Sequence, residues 1–278
     1  MDLLISPDGM LGRAWKTLLE ARGIPFEGVS FPDFDLTDPD ALQRIEPGKY
    51  ARVINCAAWT DVDGAEVREA EATELNGHAV GRLAQRCAEA GSILVHYSTD
   101  YVFGGDATEP YPVDGPYDPV NAYGRGKMIG ELAIRDSGAR HLILRTSWLY
   151  APWGQNFVLT MRRLGKERDV LTVVDDQRGR PTSAQHLAEA SLRLLEVGAS
   201  GTLHVTDGGE CTWHAFAKAI VQTVNPACDV QPCSSDAFPR PAKRPAYSVM
   251  DLGPTEALLG PMPHWRDNLA AVLEQIDV

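Results

Sequence analysis

The sequence has no apolar run near the roughly 20 residues that a membrane-spanning helix needs, so membrane-embedded helices are not expected. It opens directly on Leu3-Leu4-Ile5, without a basic segment followed by a cleavable apolar stretch, so no secretory leader is expected either. Positive charge is in short supply: 26 Lys and Arg stand against 38 Asp and Glu, a formal net charge of -12. Gripping a phosphate backbone takes clustered Lys and Arg, which argues against nucleic acid as a partner. The acidic residues form no block, as on an ordinary solvated surface. The five cysteines are odd in number and contain no CxxC pair. Cys228 and Cys233 could bridge, but thiols in a reducing compartment fit better, and the cytoplasm is the expected location. Seven scattered histidines never fall at metal-ligand spacing, so no metal site is expected.

What remains is an ordinary globular composition, 44% hydrophobic and 23% charged, long enough to bury a sizeable core. The first half alternates strand-like and helical runs. Strands are predicted at Leu3 to Ser6, Phe26 to Val29, Arg52 to Asn55, Ile93 to Tyr97 and His141 to Arg145. Helices are predicted through Trp15, Leu18 and Leu19, from the cap-and-proline pair Asp38-Pro39, over Glu66 to Asn76, Gly77 to Ala90 and Ala122 to Arg135. That alternation implies right-handed βαβ units and a parallel sheet covered on both faces. Beyond residue 150 the pattern loosens. Helices are expected at Asn156 to Arg168, Ser183 to Val197 and Thr212 to Val224, with short strands at Val170 to Val174 and Thr202 to Val205. The proline-rich stretch from Pro226 to Pro263 reads as loops.

Two features carry chemistry. Tyr123 and Lys127 are four residues apart on a predicted helix, hence on one face. An ammonium beside a phenol would lower the phenol's pKa and fit it for proton transfer near neutrality. By itself this spacing is common on exposed helices. However, Ser98 and Thr99 lie at the carboxyl end of the fourth strand, where open parallel sheets bind ligands. A hydroxyl there could hydrogen-bond the carbonyl that Tyr123 protonates. The second feature is Gly9-Met10-Leu11-Gly12, whose glycines would let a pyrophosphate approach a helix N-terminus. Ser6 stands where a GxxGxxG loop has its first glycine. Behind it Pro7 removes an N–H donor and Asp8 adds negative charge, so the loop is expected to bind an anion less well.

Longer strings then point to a family. NCAAWT (residues 55–60), HYSTDYVF (96–103), NAYGRGK (121–127), RTSWLY (145–150), DDQRGRPT (175–182) and RPAYS (244–248) resemble, in order, segments of the dTDP-4-dehydrorhamnose reductase family within the extended short-chain dehydrogenases. The resemblance spans nearly the whole chain. It implies a Rossmann-type doubly wound parallel sheet over residues 1–150 and a smaller substrate-binding lobe over 151–278, with some segments returning to the core. It also implies NADPH- or NADH-dependent reduction of the 4-keto group of a nucleotide-linked deoxysugar.

On that resemblance Thr99, Tyr123 and Lys127 would be catalytic. Tyr123 would be the general acid, and Lys127 would hold the nicotinamide ribose. Gly9, Met10, Leu11 and Gly12 would line the pyrophosphate. Asp35 and Leu36 would meet the adenine, and Ala57 and Ala58 would pack on the adenosine side. Asp100, Tyr101, Val102 and Trp148 would contact the sugar and Arg244 the diphosphate. Asp35 reads equally well as a turn residue, Trp148 also as a core aromatic and Arg244 also as a surface arginine. A homodimer stays open, as do a non-catalytic binding homologue of the same fold and a reductase of another keto-sugar.

Overall fold

The computed structural model describes residues 1–46 and 48–276. In chain order the first half runs β1 (Asp2–Ile5), α1 (Met10–Ala21), β2 (Phe26–Val29), β3 (Arg52–Asn55), α2 (Val62–Val67), α3 (Glu69–Thr73), α4 (Ala79–Ala90), β4 (Ile93–Thr99), α5 (Ala122–Asp136) and β5 (His141–Thr146). The second half adds β6 (Leu149–Tyr150), α6 (Phe157–Glu167), β7 (Val170–Val174), β8 (Arg178–Gly179), β9 (Thr182–Ser183), α7 (Ala184–Glu196) and β10 (Gly201–His204). It closes with β11 (Cys211–Thr212), α8 (Trp213–Val221), β12 (Asp229–Cys233), α9 (Gly253–Leu259) and α10 (Trp265–Ile276).

Six strands form one sheet in the order β10-β5-β4-β3-β1-β2, parallel throughout. After β1 the chain pairs first on one side with β2, then on the other with β3. That reversal opens a crevice at the carboxyl ends of β1 and β3, the switch point where such sheets take ligands. The central strands are buried on both faces and read as apolar runs. Along β4, Leu94 enters the layer under α4 and α5, while Val95 and Tyr97 enter the layer under α1 and α7. Asp2, buried at the foot of β1, is compensated by Arg52 of β3, whose Nε donates to Oδ1 at 2.9 Å. A third apolar cluster, built from Val158, Leu171, Phe216, Ile220 and Trp265, is the core of a lobe formed by the second half.

Three expectations change. The Asp38-Pro39 start gives only a 3₁₀ turn at Ala41–Arg44: the Asp38 carboxylate accepts from the Asp40 N–H as a cap does, but the chain leaves the helical region at Ile45, with ψ 84°, whose side chain is buried in the core. The two helices expected over 66–90 are broken at Arg68 and contain a π-helical turn at Glu74–His78. Between 226 and 263 the expected loops include β12, which pairs with β7 in parallel, and α9, started by Pro254 in its first turn. No helix among the described residues is long and apolar enough to cross a membrane. All five cysteines, Cys228 and Cys233 included, are unpaired.

Candidate active site

The site is assembled from turns that leave the sheet at its carboxyl edge. After β1 the backbone turns sharply at Ser6, which has φ 63° in the left-handed region that glycine prefers. Its N–H donates to the Val29 carbonyl at 2.7 Å and its carbonyl accepts from Gly9 N at 3.2 Å. The serine thus takes the conformation of the glycine it replaces. Gly12 of α1 presses directly on this turn, since a Cβ there would lie 1.9 Å from the Ser6 carbonyl oxygen. The first turn of α1 holds no acidic side chain, and its cap residue Gly9 contributes no side-chain hydrogen bond. The free N–H groups of that turn are therefore available to an anion in the crevice. Pro7 packs over Gly28 of β2, and the Asp8 carboxylate turns to β2, accepting from Ser30 Oγ at 2.9 Å. Pro7 still offers no N–H to the loop, while the Asp8 charge is directed at Ser30 of the strand β2 edge.

Two cavities meet at this turn, and Ser6, Ala57 and Ala58 line both. One, of about 800 Å³, lies past the ends of β2 and β3 and is lined by Phe34, Asp35, Leu36 and Trp59. Asp35 also acts as a turn residue, accepting from Thr37 N and Oγ1, both at 2.8 Å. The π-helical turn matters here, because it brings Asn76 to Trp59. The Asn76 side chain accepts from Trp59 N at 2.8 Å and donates to Trp59 O at 2.9 Å. The shapes fit the two ends of a dinucleotide: an apolar slot beside a helix N-terminus, with alanines where bulk would block the passage.

The second cavity, of about 510 Å³, gathers Gly9, Met10, Leu11, Thr99, Asp100, Tyr101, Tyr123, Lys127 and Trp148. Asn121 starts α5 there by accepting from Gly124 N at 2.8 Å. Gly124 rides against the Tyr101 carbonyl oxygen, 2.1 Å from where a Cβ would sit, so α5 docks closely on the loop after β4. One helical turn later Lys127 points inward, 2% exposed, with Nζ 3.2 Å from Nε2 of the fully buried His96. His96 Nδ1 in turn lies 3.2 Å from Asn55 Nδ2. Burial pulls Lys127 down to about 8, against the upward pull of Glu131. His96 is held well below its ordinary value by burial and by the Lys127 charge.

Tyr123 departs from expectation. Its phenol is raised, not lowered, because burial and then the Asp100 charge outweigh the Thr99 hydroxyl. The lysine charge that was to lower it is directed at His96. Tyr101 packs edge-on against Tyr123, ring centroids 5.9 Å apart. Thr99 Oγ1 donates to Asp100 Oδ1 at 2.9 Å. Burial raises Asp100 to about 6, opposed by the hydroxyls of Ser248 and Thr99.

Trp148, leaving β5 with φ 48°, stacks on Trp213 of α8 at 3.7 Å between centroids. Gly179 makes room for it, since a Cβ there would lie 2.7 Å from Trp148 Cε2. Val102 is fully buried with Phe103 and Met250, behind the cavity wall. Arg244 lies 3.1 Å from Asp63 of α2 and donates to the Ala242 carbonyl, apart from the residues that line the cavity. Sequence reasoning missed Trp213, Gln155 and Trp59 as lining residues, and His96 behind Lys127. Trp213 had a faint signal, an aromatic directly after the helix cap Thr212. His96 had none, because its link to Lys127 exists only through space. Among the described residues no group of three metal-binding side chains occurs.

A parallel sheet with its crevice at the β1–β3 switch point, a tight turn onto α1 and a Tyr-x-x-x-Lys helix beside Thr99 define an extended short-chain dehydrogenase/reductase. Within that class, the chain belongs to the dTDP-4-dehydrorhamnose reductase family. The family described as the RmlD substrate binding domain matches residues 1–278. A dTDP-4-dehydrorhamnose reductase of Burkholderia thailandensis is 41% identical, over 95% of each chain. The crystal structure of a Clostridium acetobutylicum dTDP-4-dehydrorhamnose reductase superposes with a TM-score of 0.95 at 36% identity, covering all of both chains. That of the Bacillus anthracis enzyme, in complex with NADP, gives 0.93 at 33% identity, covering 99% of this chain and 98% of that one.

Proposed function

We propose that this protein reduces the C4 ketone of dTDP-4-dehydro-L-rhamnose, giving dTDP-L-rhamnose, with NADH or NADPH as reductant. The observation that carries this reading is the convergence of Thr99, Tyr123, Lys127 and Trp148 on one cavity that meets the larger cleft at Ala57 and Ala58. When bound, the cofactor supplies a hydride equivalent to C4. Gly9, Met10, Leu11 and Gly12 hold its pyrophosphate, Asp35 and Leu36 its adenine, and Lys127 its nicotinamide ribose. Tyr123 keeps its phenol proton across the neutral range, because burial and Asp100 raise its pKa, and delivers that proton to the C4 oxygen. Thr99 orients this oxygen, turning its hydroxyl from Asp100 toward the substrate.

Asp100, Tyr101 and Trp148 shape the sugar site, with Val102 bracing that wall from behind. Arg244 lies outside the cavity lining, paired with Asp63, and would meet the diphosphate of the substrate by turning from that partner. Residues 1–150 serve mainly the cofactor and 151–278 mainly the sugar nucleotide. Five unpaired thiols suit a reducing cytoplasm.

Purified protein given dTDP-4-dehydro-L-rhamnose should consume NADH or NADPH and yield dTDP-L-rhamnose. Binding of cofactor without turnover would mark a regulatory homologue instead. Tyr123→Phe should lower kcat by about 10²–10⁴-fold while cofactor Kd holds. A variant with a near-normal rate would remove Tyr123 from its role.

A further inference from the structure

The turn after β1 and the end of β2 lie side by side, since Ile5 pairs with Val29 and Ser6 donates to the Val29 carbonyl. In sheets of this kind the end of β2 meets the adenosine ribose, and an acid there reads its 2′-hydroxyl. The residue that follows β2 here is Ser30, which lines the larger cleft and cannot supply that charge. The acid arrives from the neighbouring turn instead. Asp8 reaches across so that its carboxylate accepts from Ser30 Oγ at 2.9 Å.

The cations around this end of the cleft are already engaged. Arg68 donates to both carboxylate oxygens of Glu71 and lies over the Trp59 ring at 4.8 Å. Arg82 is held by Glu74 and the Thr37 carbonyl, and Arg44 by the Asp33 carbonyl over the Phe34 ring. A 2′-phosphate would bring close to two negative charges against a carboxylate, with each arginine committed elsewhere.

We propose that Asp8, positioned by Ser30, reads the 2′-hydroxyl of the adenosine ribose and makes this protein select NADH over NADPH. The proposal rests on the cofactor reading above, and the test separates the two. Dissociation constants for NADH and NADPH are measured by fluorescence titration on the purified full chain, on Asp8→Asn and on Ser30→Arg. The wild-type protein should bind NADH at least about tenfold more tightly. Asp8→Asn should narrow that gap by tightening NADPH, and Ser30→Arg should reverse it. Equal binding, tighter NADPH in the wild type, or a gap unchanged in both variants overturns the selection while leaving the cofactor site standing. Failure of both dinucleotides to bind overturns the cofactor reading and the selection with it.

Discussion

Ser6 holds a left-handed backbone conformation that costs a residue with a Cβ roughly 1–2 kcal/mol. Because the turn already has the shape a glycine would give it, replacing the serine has little left to correct in the anion site. Ser6→Gly should therefore raise stability by about 0.5–1 kcal/mol, a shift of about 1–4 °C in a thermal melt. Cofactor Kd should change less than about threefold, checked by titration of the same preparation. Lys127 sets a pH dependence. With its ammonium brought down to about 8 by burial, it is charged below that pH and loses its proton above it. A charge-assisted hydrogen bond to a ribose hydroxyl contributes about 1.5–3 kcal/mol, or about 10–100-fold in affinity. Cofactor Kd should thus stay flat below about pH 7.5 and weaken as pH rises past 8. His96, held on its far side by Asn55, faces this lysine and stays neutral throughout, and Glu131 pulls the lysine's pKa upward. Lys127→Met should bind weakly at every pH and lose the dependence, and a retained slope would assign it to another group.

At the scale of elements, the helix that carries Tyr123 and Lys127 is located by its glycines. A Cβ on Gly124 would sit 2.1 Å from the Tyr101 carbonyl oxygen, and one on Gly130 would sit 2.4 Å from the Asn76 carbonyl oxygen. α5 is thus wedged between the loop after β4 and the π-helical turn, and Tyr123 goes where the wedge puts it. Gly124→Ala should push the helix outward, destabilise the fold by about 1–3 kcal/mol and lower kcat by about 10²-fold, with every chemical group retained. Gly126→Ala is the matched control: its nearest contact would be an ordinary 3.4 Å to Thr73 Cα, and its kinetics should stay near wild type. This is also the scale at which the sequence stops being readable. The central strands of the first half were legible because double burial makes them apolar runs between turn signals. Tyr123, Lys127 and Thr99 were legible because their spacing is local. Nothing local in the sequence marks the break at Arg68. The turn around Asn76 was not legible either, since its side chain is tied to Trp59, 17 positions away. The strand β12 stayed hidden for the same reason, its partner β7 being some 60 residues earlier.

For the molecule as a whole, the question is whether residues 1–150 can stand without the rest. Strand β10 comes from the second half, yet it forms the edge of the main sheet beside β5. Helix α7 covers the same face of the sheet as α1, and together they bury Leu4, Trp15, Ile54, Val95, Leu142 and Leu144. A polar link runs through this layer: Trp15 Nε1 donates to Tyr97 OH at 2.6 Å, and Tyr97 OH donates to Ser191 Oγ at 2.9 Å. Cutting the chain after residue 150 would strip α7 and β10 away, exposing those apolar side chains and leaving the buried Tyr97 hydroxyl without its acceptor. Each large side chain uncovered forfeits about 1.5–3 kcal/mol, so losing several exceeds the 5–15 kcal/mol that holds an ordinary domain together. The fragment 1–150 should consequently fail to give a cooperative urea transition, whereas the full chain gives one. Adding α7 and β10 back, as a fragment ending after Val205, should restore the main sheet and with it measurable dinucleotide binding, because the residues proposed to hold the cofactor all lie within these layers. A fragment 1–150 that melts cooperatively would show that α1 and the sheet are stable without the cover that the second half lays over them.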